Sequence, residues 1–306
     1  MPGMCLCGHR AFFGAPPAPA ANNPVNARSG QHGGEPTTTQ GTDYLIRESA
    51  EMYHARASEY LSSHQLGDLR KCPLLYHRKR IGLIRDEDRP AYLVGRAAHT
   101  LILEGRERFE AEYAAGGPIN PRTGEPFGAF TKAFAEWAAL QGKPVLTGEQ
   151  VALVEAMNAG VREHELAVPF LTQDVAERVC RAEYCSVPCQ IRIDYFSPAS
   201  GGGIVDLKTC DDLTYFEADA RRYGYAHQLA FYRAVLAVAR GGELFPVHLI
   251  AIEKKPPFRC GVWRFHDDAL ASAQRENEAA IARLRECQAR DQWPSGYEEA
   301  RVFDFI

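Results

Sequence analysis

The chain lacks any run of about eighteen apolar residues, which excludes a membrane-spanning helix of ordinary length. Its most apolar early stretch, Ala11 to Ala21, is short and broken by Pro16, Pro17 and Pro19, so it reads as neither a signal-peptide core nor a span. An excess of positive charge is also missing: Lys and Arg number 35 against 39 Asp and Glu, a formal net charge of -4. A protein that coats nucleic acid through a diffuse positive field is thereby disfavoured, and any such contact must be local. Internal repeats are absent. The nine cysteines form an odd set with no secretory leader, which favours reduced thiols in a cytoplasmic protein over a disulfide framework.

What is present is an ordinary globular composition, 45% hydrophobic and 24% charged, over 306 residues. Residues 1–48 are rich in Pro, Gly, Ala, Asn and Thr without periodicity. They read as a disordered tail, because such a segment buries too little apolar area to offset its ordering entropy. Met52, just beyond it, is a candidate start. Residues 49–306 read as one domain, with patterned sequence from Tyr53-His54 onward. Ser62 and Gln65 fit a capping box, and the helix they open is interrupted at Cys72-Pro73. A basic stretch follows, from Lys71 to Arg85. Helical spacing runs from Ala91 to Phe109 with His99 near its middle, and two helices are expected at about 129–141 and 148–164, the second capped by Thr147. The period then changes. Residues 176–196 and 203–209 alternate as strands around a Gly-rich turn, a helix spans Phe216 to Arg240, strands return at 246–254 and 260–265, and a last helix covers 267–290. The fold class expected is α/β, a central mixed β-sheet flanked by helices.

Two strands carry the chemistry. Alternation along Gln190 to Phe196 sends Ile191, Ile193 and Tyr195 to one face, and Arg192 and Asp194 to the other. In the next strand Asp206 and Lys208 share a face, opposite Val205 and Leu207. Joined by a short turn, the strands should be antiparallel, bringing Asp194 and Asp206 within a few ångströms. Two carboxylates that close repel, and a divalent cation relieves the repulsion. Mg²⁺ prefers such oxygen donors, and a neighbouring lysine can orient or deprotonate water for phosphodiester hydrolysis. No essential core contact is expected of Lys208. Taken alone, the same residues also read as solvated strand faces, His99 as a core histidine, and Gln228 with Tyr232 as helix packing. Glu177 reads equally as a further polar group of the site or as a solvated strand-edge carboxylate. Cys180, Cys185 and Cys189 invite a zinc or iron–sulfur reading, but alternation separates them along their strands.

Residues 53–305 resemble the PD-(D/E)XK nuclease superfamily, with its restriction-endonuclease-like core, and within it the exodeoxyribonuclease VIII (RecE) branch. The resemblance is carried by Tyr53-His54 with Ser63 to Leu69 and Cys72-Pro73, and by Gly95 to Gly105 around His99. Further along it is carried by Arg192-Ile193-Asp194, Val205 to Thr209, and Gly224-Tyr225 with Gln228 and Tyr232. Glu253 to Pro257 and Trp293 to Tyr297 close the series. It implies His99, Asp194, Asp206 and the Leu207 carbonyl as metal ligands, Lys208 as the catalytic lysine, and Gln228 and Tyr232 as substrate-side groups on one helix face. It further implies Mg²⁺, or Mn²⁺, as cofactor. The activity implied is 5′-to-3′ digestion of one strand from double-stranded DNA ends, leaving 3′ tails for recombination. A homo-oligomeric ring, a single-strand annealing protein as partner and a phage setting complete it. The rival readings are an iron–sulfur nuclease of the same superfamily and a non-catalytic DNA-binding scaffold on a nuclease fold.

Overall fold

The structure, a computed structural model, describes residues 44–87, 90–172 and 176–302. Most of the segment read as a tail, residues 1–43, lies outside the described residues. Its last residues do not behave as a tail: strand β1 (Ile46–Arg47) pairs antiparallel with Val179 and Arg178, and Leu45 is buried in the core. The tail boundary at residue 48 is therefore too late. Composition averaged over the segment hid one apolar triplet, Tyr44-Leu45-Ile46, that the sheet edge takes up.

Helices α1 (Ala50–Ala55), α2 (Ser63–Lys71), α3 (Pro73–Arg80), α4 (Pro90–His99) and α5 (Arg106–Glu112) follow. The Ser62 capping box forms as expected, and Pro73 opens α3. The helix expected across 91–109 is interrupted. After His99 the backbone widens into a π-helical turn, Thr100–Glu104, and Gly105 then adopts a φ of +88°, which ends it and starts α5 in a new direction. Short parallel strands β2 (Ala114–Ala115) and β3 (Val145–Leu146) bracket α6 (Lys132–Ala139), and α7 (Gly148–Arg162) is capped by Thr147 with Gln150.

The main sheet is completed by β4 (Ala176–Tyr184), β5 (Val187–Ser197), β6 (Gly203–Cys210), β7 (Val247–Glu253) and β8 (Cys260–Arg264). The stretch 176–196 is thus two strands, turned at Cys185 and Ser186, both with positive φ. Between β6 and β7 lie α8 (Phe216–Tyr223) and α9 (Tyr225–Ala239), and α10 (Asp267–Arg290) closes the chain. The single helix expected from Phe216 to Arg240 is broken at Gly224, which has a φ of +70°. Any side chain there would also press on Arg70, since a Cβ would lie 3.1 Å from its Nη2.

Sheet order is β1-β4-β5-β6-β7-β8, antiparallel throughout except for the β6–β7 pair, so the α/β plan with a mixed central sheet holds. One face packs against α2, α9 and α10, where Ile191, Ile193, Ile204 and Leu249 meet Leu229, Phe231 and Ile281. The other packs against α4, the π turn and α7, where Val205, Leu207 and Ile250 meet Ala98, Ile102 and Met157. Every residue of β6 and of β7 is buried, as expected for adjacent parallel strands covered on both sides. Alternation along β5 fails at one point: Ile191 and Ile193 enter the first core, but Tyr195 enters the second, not the same face as expected. The cause is a change of partner. β5 pairs with β4 through Ala176–Tyr184 but with β6 only over Tyr195–Ser197, so the strand turns its faces as it leaves one neighbour for the other.

A chain begun at Met52 would lose Leu45, β1 and the bidentate Glu48–Arg181 pair, whose contacts are 2.7 and 2.9 Å. Burying one leucine contributes about 2 kcal/mol, and a domain of this size shifts roughly 2–4 °C per kcal/mol. The melting temperature should therefore fall by about 5–10 °C. Identical melting of the two chains would show that β1 adds nothing to the fold.

Candidate active site

Past Tyr195 and Val205 the two central strands part, β5 following β4 and β6 following β7. The register that pairs Tyr195 with Val205 sets Asp194 opposite Asp206 at the mouth of this opening. No ladder continues there, and the Leu207 N–H donates to Asp194 Oδ2 at 2.9 Å. A carboxylate thus satisfies a backbone donor where a strand carbonyl would otherwise stand.

His99 ends α4, and its Nδ1 lies 3.7 Å from Asp194 Oδ2. Its Nε2 is buried and has no hydrogen-bond partner among the described residues. Glu177 stands opposite Asp194 on β4, between the pairs Ala176–Tyr195 and Arg178–Ile193. Ligand atoms of His99, Glu177 and Asp194 all lie within 4.8 Å of one another. Glu177 holds a φ of +52°, rare for a residue with a side chain and worth about 1–3 kcal/mol of strain. Burial pushes its carboxyl up to about 7; the Arg192 guanidinium opposes that rise and Asp194 adds to it.

Asp206 faces the other way. Its Oδ2 rests against Lys208 Nζ, and its Oδ1 accepts from Gln228 Nε2 at 3.3 Å. The same Gln228 amide donates to Tyr232 Oη at 3.2 Å, so both residues of the i, i+4 pair on α9 reach the site. Burial raises Asp206 to about 6, with Lys208 lowering it and Asp194 raising it. Tyr232 is raised as well, by burial first and then by Asp206 and Asp194. Lys208 has no exposed surface, and its Nζ sits 4.9 Å from the centre of the Tyr225 ring. The expectation that Lys208 makes no core contact is therefore wrong: the helix layer over β6 encloses it.

Of the anticipated residues, the structure brings His99 and Asp194 together and puts Asp206, Lys208, Gln228 and Tyr232 in a connected group beside them. The tight trio includes Glu177, which sequence left open, and not Asp206. Leu207 contributes its amide to Asp194 and pairs with Ile250 of β7. The signal for Glu177 was available in principle, because once the β4–β5 hairpin is set at Cys185-Ser186 the register places it across from Asp194. Two opposed carboxylates and an imidazole with one unsatisfied ring nitrogen are hard and borderline donors that fit a divalent cation. The cysteines do not join. Among the described residues the cysteines make up no group of three close enough to share an ion, and Cys185 is exposed while Cys180 and Cys189 are buried.

A family described as "PDDEXK-like domain of unknown function (DUF3799)" has a model that matches residues 62–304. No curated protein matches the chain. Among solved structures, the crystal structure of a "Putative exonuclease" from Eubacterium rectale superposes with a TM-score of 0.61 at 18% identity, covering 85% of this chain and 96% of that one. At that identity the likeness speaks for the fold. Among the described residues, no helix is long and apolar enough to cross a membrane.

Glu177→Gln, Asp194→Asn and Asp206→Asn should each weaken Mg²⁺ binding by at least about tenfold, judged by the cost of disturbing metal-site groups. Mn²⁺, more tolerant of varied ligation, should partly restore His99→Ala. Calorimetry that finds wild-type affinity in both Glu177→Gln and Asp194→Asn would place the ion elsewhere.

Proposed function

Because the chain belongs to the PDDEXK-like domain family, within the PD-(D/E)XK nuclease superfamily, we propose that it is a divalent-metal-dependent deoxyribonuclease that digests linear duplex DNA from its ends. The observation that carries this reading is the convergence at one strand opening: His99, Glu177 and Asp194 within 4.8 Å, with Asp206 and Lys208 in contact alongside.

His99, Glu177 and Asp194 would hold the cation, with Asp206 as a further acidic ligand. When bound, a cation such as Mg²⁺ supplies Lewis-acid stabilisation of the charge that builds on the phosphate. Lys208, fixed between Asp206 and the Tyr225 ring, is the group to orient the attacking water and exchange its proton. Gln228 holds the second Asp206 oxygen, so that carboxylate cannot swing away from the opening. Tyr232 braces Gln228 and, with it, forms the substrate-side wall.

Attack from DNA ends, Mg²⁺ as the working ion, 5′-to-3′ polarity and 3′ tails for recombination belong to the same proposal. They draw on the resemblance to exodeoxyribonuclease VIII, and attack from ends alone draws also on the exonuclease name of the Eubacterium rectale protein. The ring-shaped assembly and the annealing partner draw on that resemblance too. Charge supports action at ends: at a net charge of -4, with basic residues gathered at Lys71–Arg85 and along α10, local phosphate contacts must do the holding.

Lys208→Ala should reduce cleavage by about 10²–10⁴-fold. It should also lower the melting temperature, since removing one partner of a buried ion pair costs roughly 3–5 kcal/mol. Rates must then be read below the variant's own melting range. Near wild-type cleavage by folded Lys208→Ala would remove the lysine from the mechanism.

With Mg²⁺ present, linear duplex should be degraded while covalently closed circles survive, and degradation should slow as salt rises. Circles cut as fast as linear DNA would sink the exonuclease reading and leave the metal site standing. Binding without cutting under several divalent ions would favour a scaffold.

A further inference from the structure

Arg192 borders the site and has no part in the chemistry derived so far. The β4–β5 register sets Glu177 opposite Asp194 and Arg192 opposite Val179, one diagonal step from Glu177. Arg192 Nη2 lies 2.9 Å from Glu177 Oε2, with both side chains largely buried. Its charge also reaches Glu104 at the end of the π turn, and Tyr53 and His54 of α1.

Two carboxylates opposed across a strand pair destabilise it, and a cation on the diagonal offsets that. Arg192 does so for Glu177. A divalent ion held by His99, Glu177 and Asp194 brings more positive charge to the same carboxylate than the guanidinium does, and the two cations repel. A guanidinium displaced from Glu177 can turn the same donors to another acceptor. Its planar fork of donors matches a phosphate, whose oxygens accept two parallel hydrogen bonds.

We propose that Arg192 is a phosphate-binding residue that Glu177 holds in reserve. In the ion-free protein its guanidinium neutralises Glu177; once a divalent cation sits among His99, Glu177 and Asp194, it passes to a phosphate of the substrate. The substrate half of this inference rests on the nuclease reading. Ion binding and phosphate binding are thereby coupled through one side chain, and a vacant metal site keeps its phosphate-binding group occupied.

Arg192→Met removes a cation that competes for Glu177. Calorimetry with Mn²⁺ and no DNA should therefore show binding severalfold tighter than wild type. Fluorescence anisotropy with duplex DNA in Ca²⁺, an ion chosen to limit turnover, should show affinity lower by about tenfold to a hundredfold, the usual worth of a charged hydrogen bond. Arg192→Lys keeps the charge and loses the fork, so its Mn²⁺ affinity should stay near wild type while its DNA affinity falls. Should Arg192→Met not fold, the lysine variant decides alone: wild-type DNA affinity in Arg192→Lys overturns the phosphate half. Unchanged or weaker Mn²⁺ binding in folded Arg192→Met overturns the counter-ion half, since a residue that merely supports Glu177 would weaken the ion on removal. Wild-type protein that binds Mn²⁺ but gains no affinity for DNA from it overturns the nuclease reading itself, and the Mn²⁺ comparison still decides the rest.

Discussion

Asp206 and Lys208 lie two residues apart on β6, a strand buried along its whole length between two helical layers. Taking each charge out of water costs several kcal/mol even after relaxation, and mutual attraction offsets this only when further partners complete the geometry. The neighbourhood supplies them. Gln228 donates to the free Asp206 oxygen, and the Tyr225 ring faces the ammonium. Both come from the first turn of α9, so that helix must start at a fixed point over β6. Gly224 sets that point, its left-handed backbone ending α8 and letting Tyr225 open the next helix over Lys208.

The other half of the site is held from the opposite face. His99 arrives on α4, and the π turn directly after it belongs to the core that covers Leu207 and Ile250. Irregular backbone gathers here: the π turn, Gly105, Glu177 with its positive φ, and the point where β5 changes partner. Each costs free energy that a regular sheet and helix would not. Together they do what regular elements cannot, which is to let side chains from both helical layers meet in a gap within the sheet.

That division explains what sequence made legible. Asp194, Asp206 and Lys208 stood out because charged residues interrupt strands that are otherwise apolar, and His99, Gln228 and Tyr232 were reached through family resemblance. The capping box at Ser62 and the cap at Thr147 follow from residue type alone and form as expected, Gln150 completing a second box. Local periodicity misleads where tertiary contacts set a break. Alternation assigned Tyr195 to the face of Ile193, but it cannot register that β5 leaves β4 for β6 there. Helical spacing ran through His99 to Phe109, and through Gly224, because the apolar period survives a one-residue interruption that the backbone does not. Glu177 stayed open because its role depends on register across a hairpin, which no single-strand pattern contains.

The charge balance of the site favours a cation. Glu177 and Asp194 face each other, Asp206 adds a third carboxylate nearby, and burial lifts Glu177 to about 7 and Asp206 to about 6. A phosphodiester brought to such a place meets like charge with little water to screen it. At an effective dielectric near 20, two unit charges about 4 Å apart repel by about 4 kcal/mol, enough to keep a phosphate out. Lys208 cannot reverse this, since Asp206 already engages it, and Arg192 is engaged by Glu177. Positive charge supplied from outside lowers that barrier to a phosphate. Modest overall acidity then ceases to argue against a DNA substrate: a protein that grips DNA through local contacts and one ion-filled opening has no need of a basic surface.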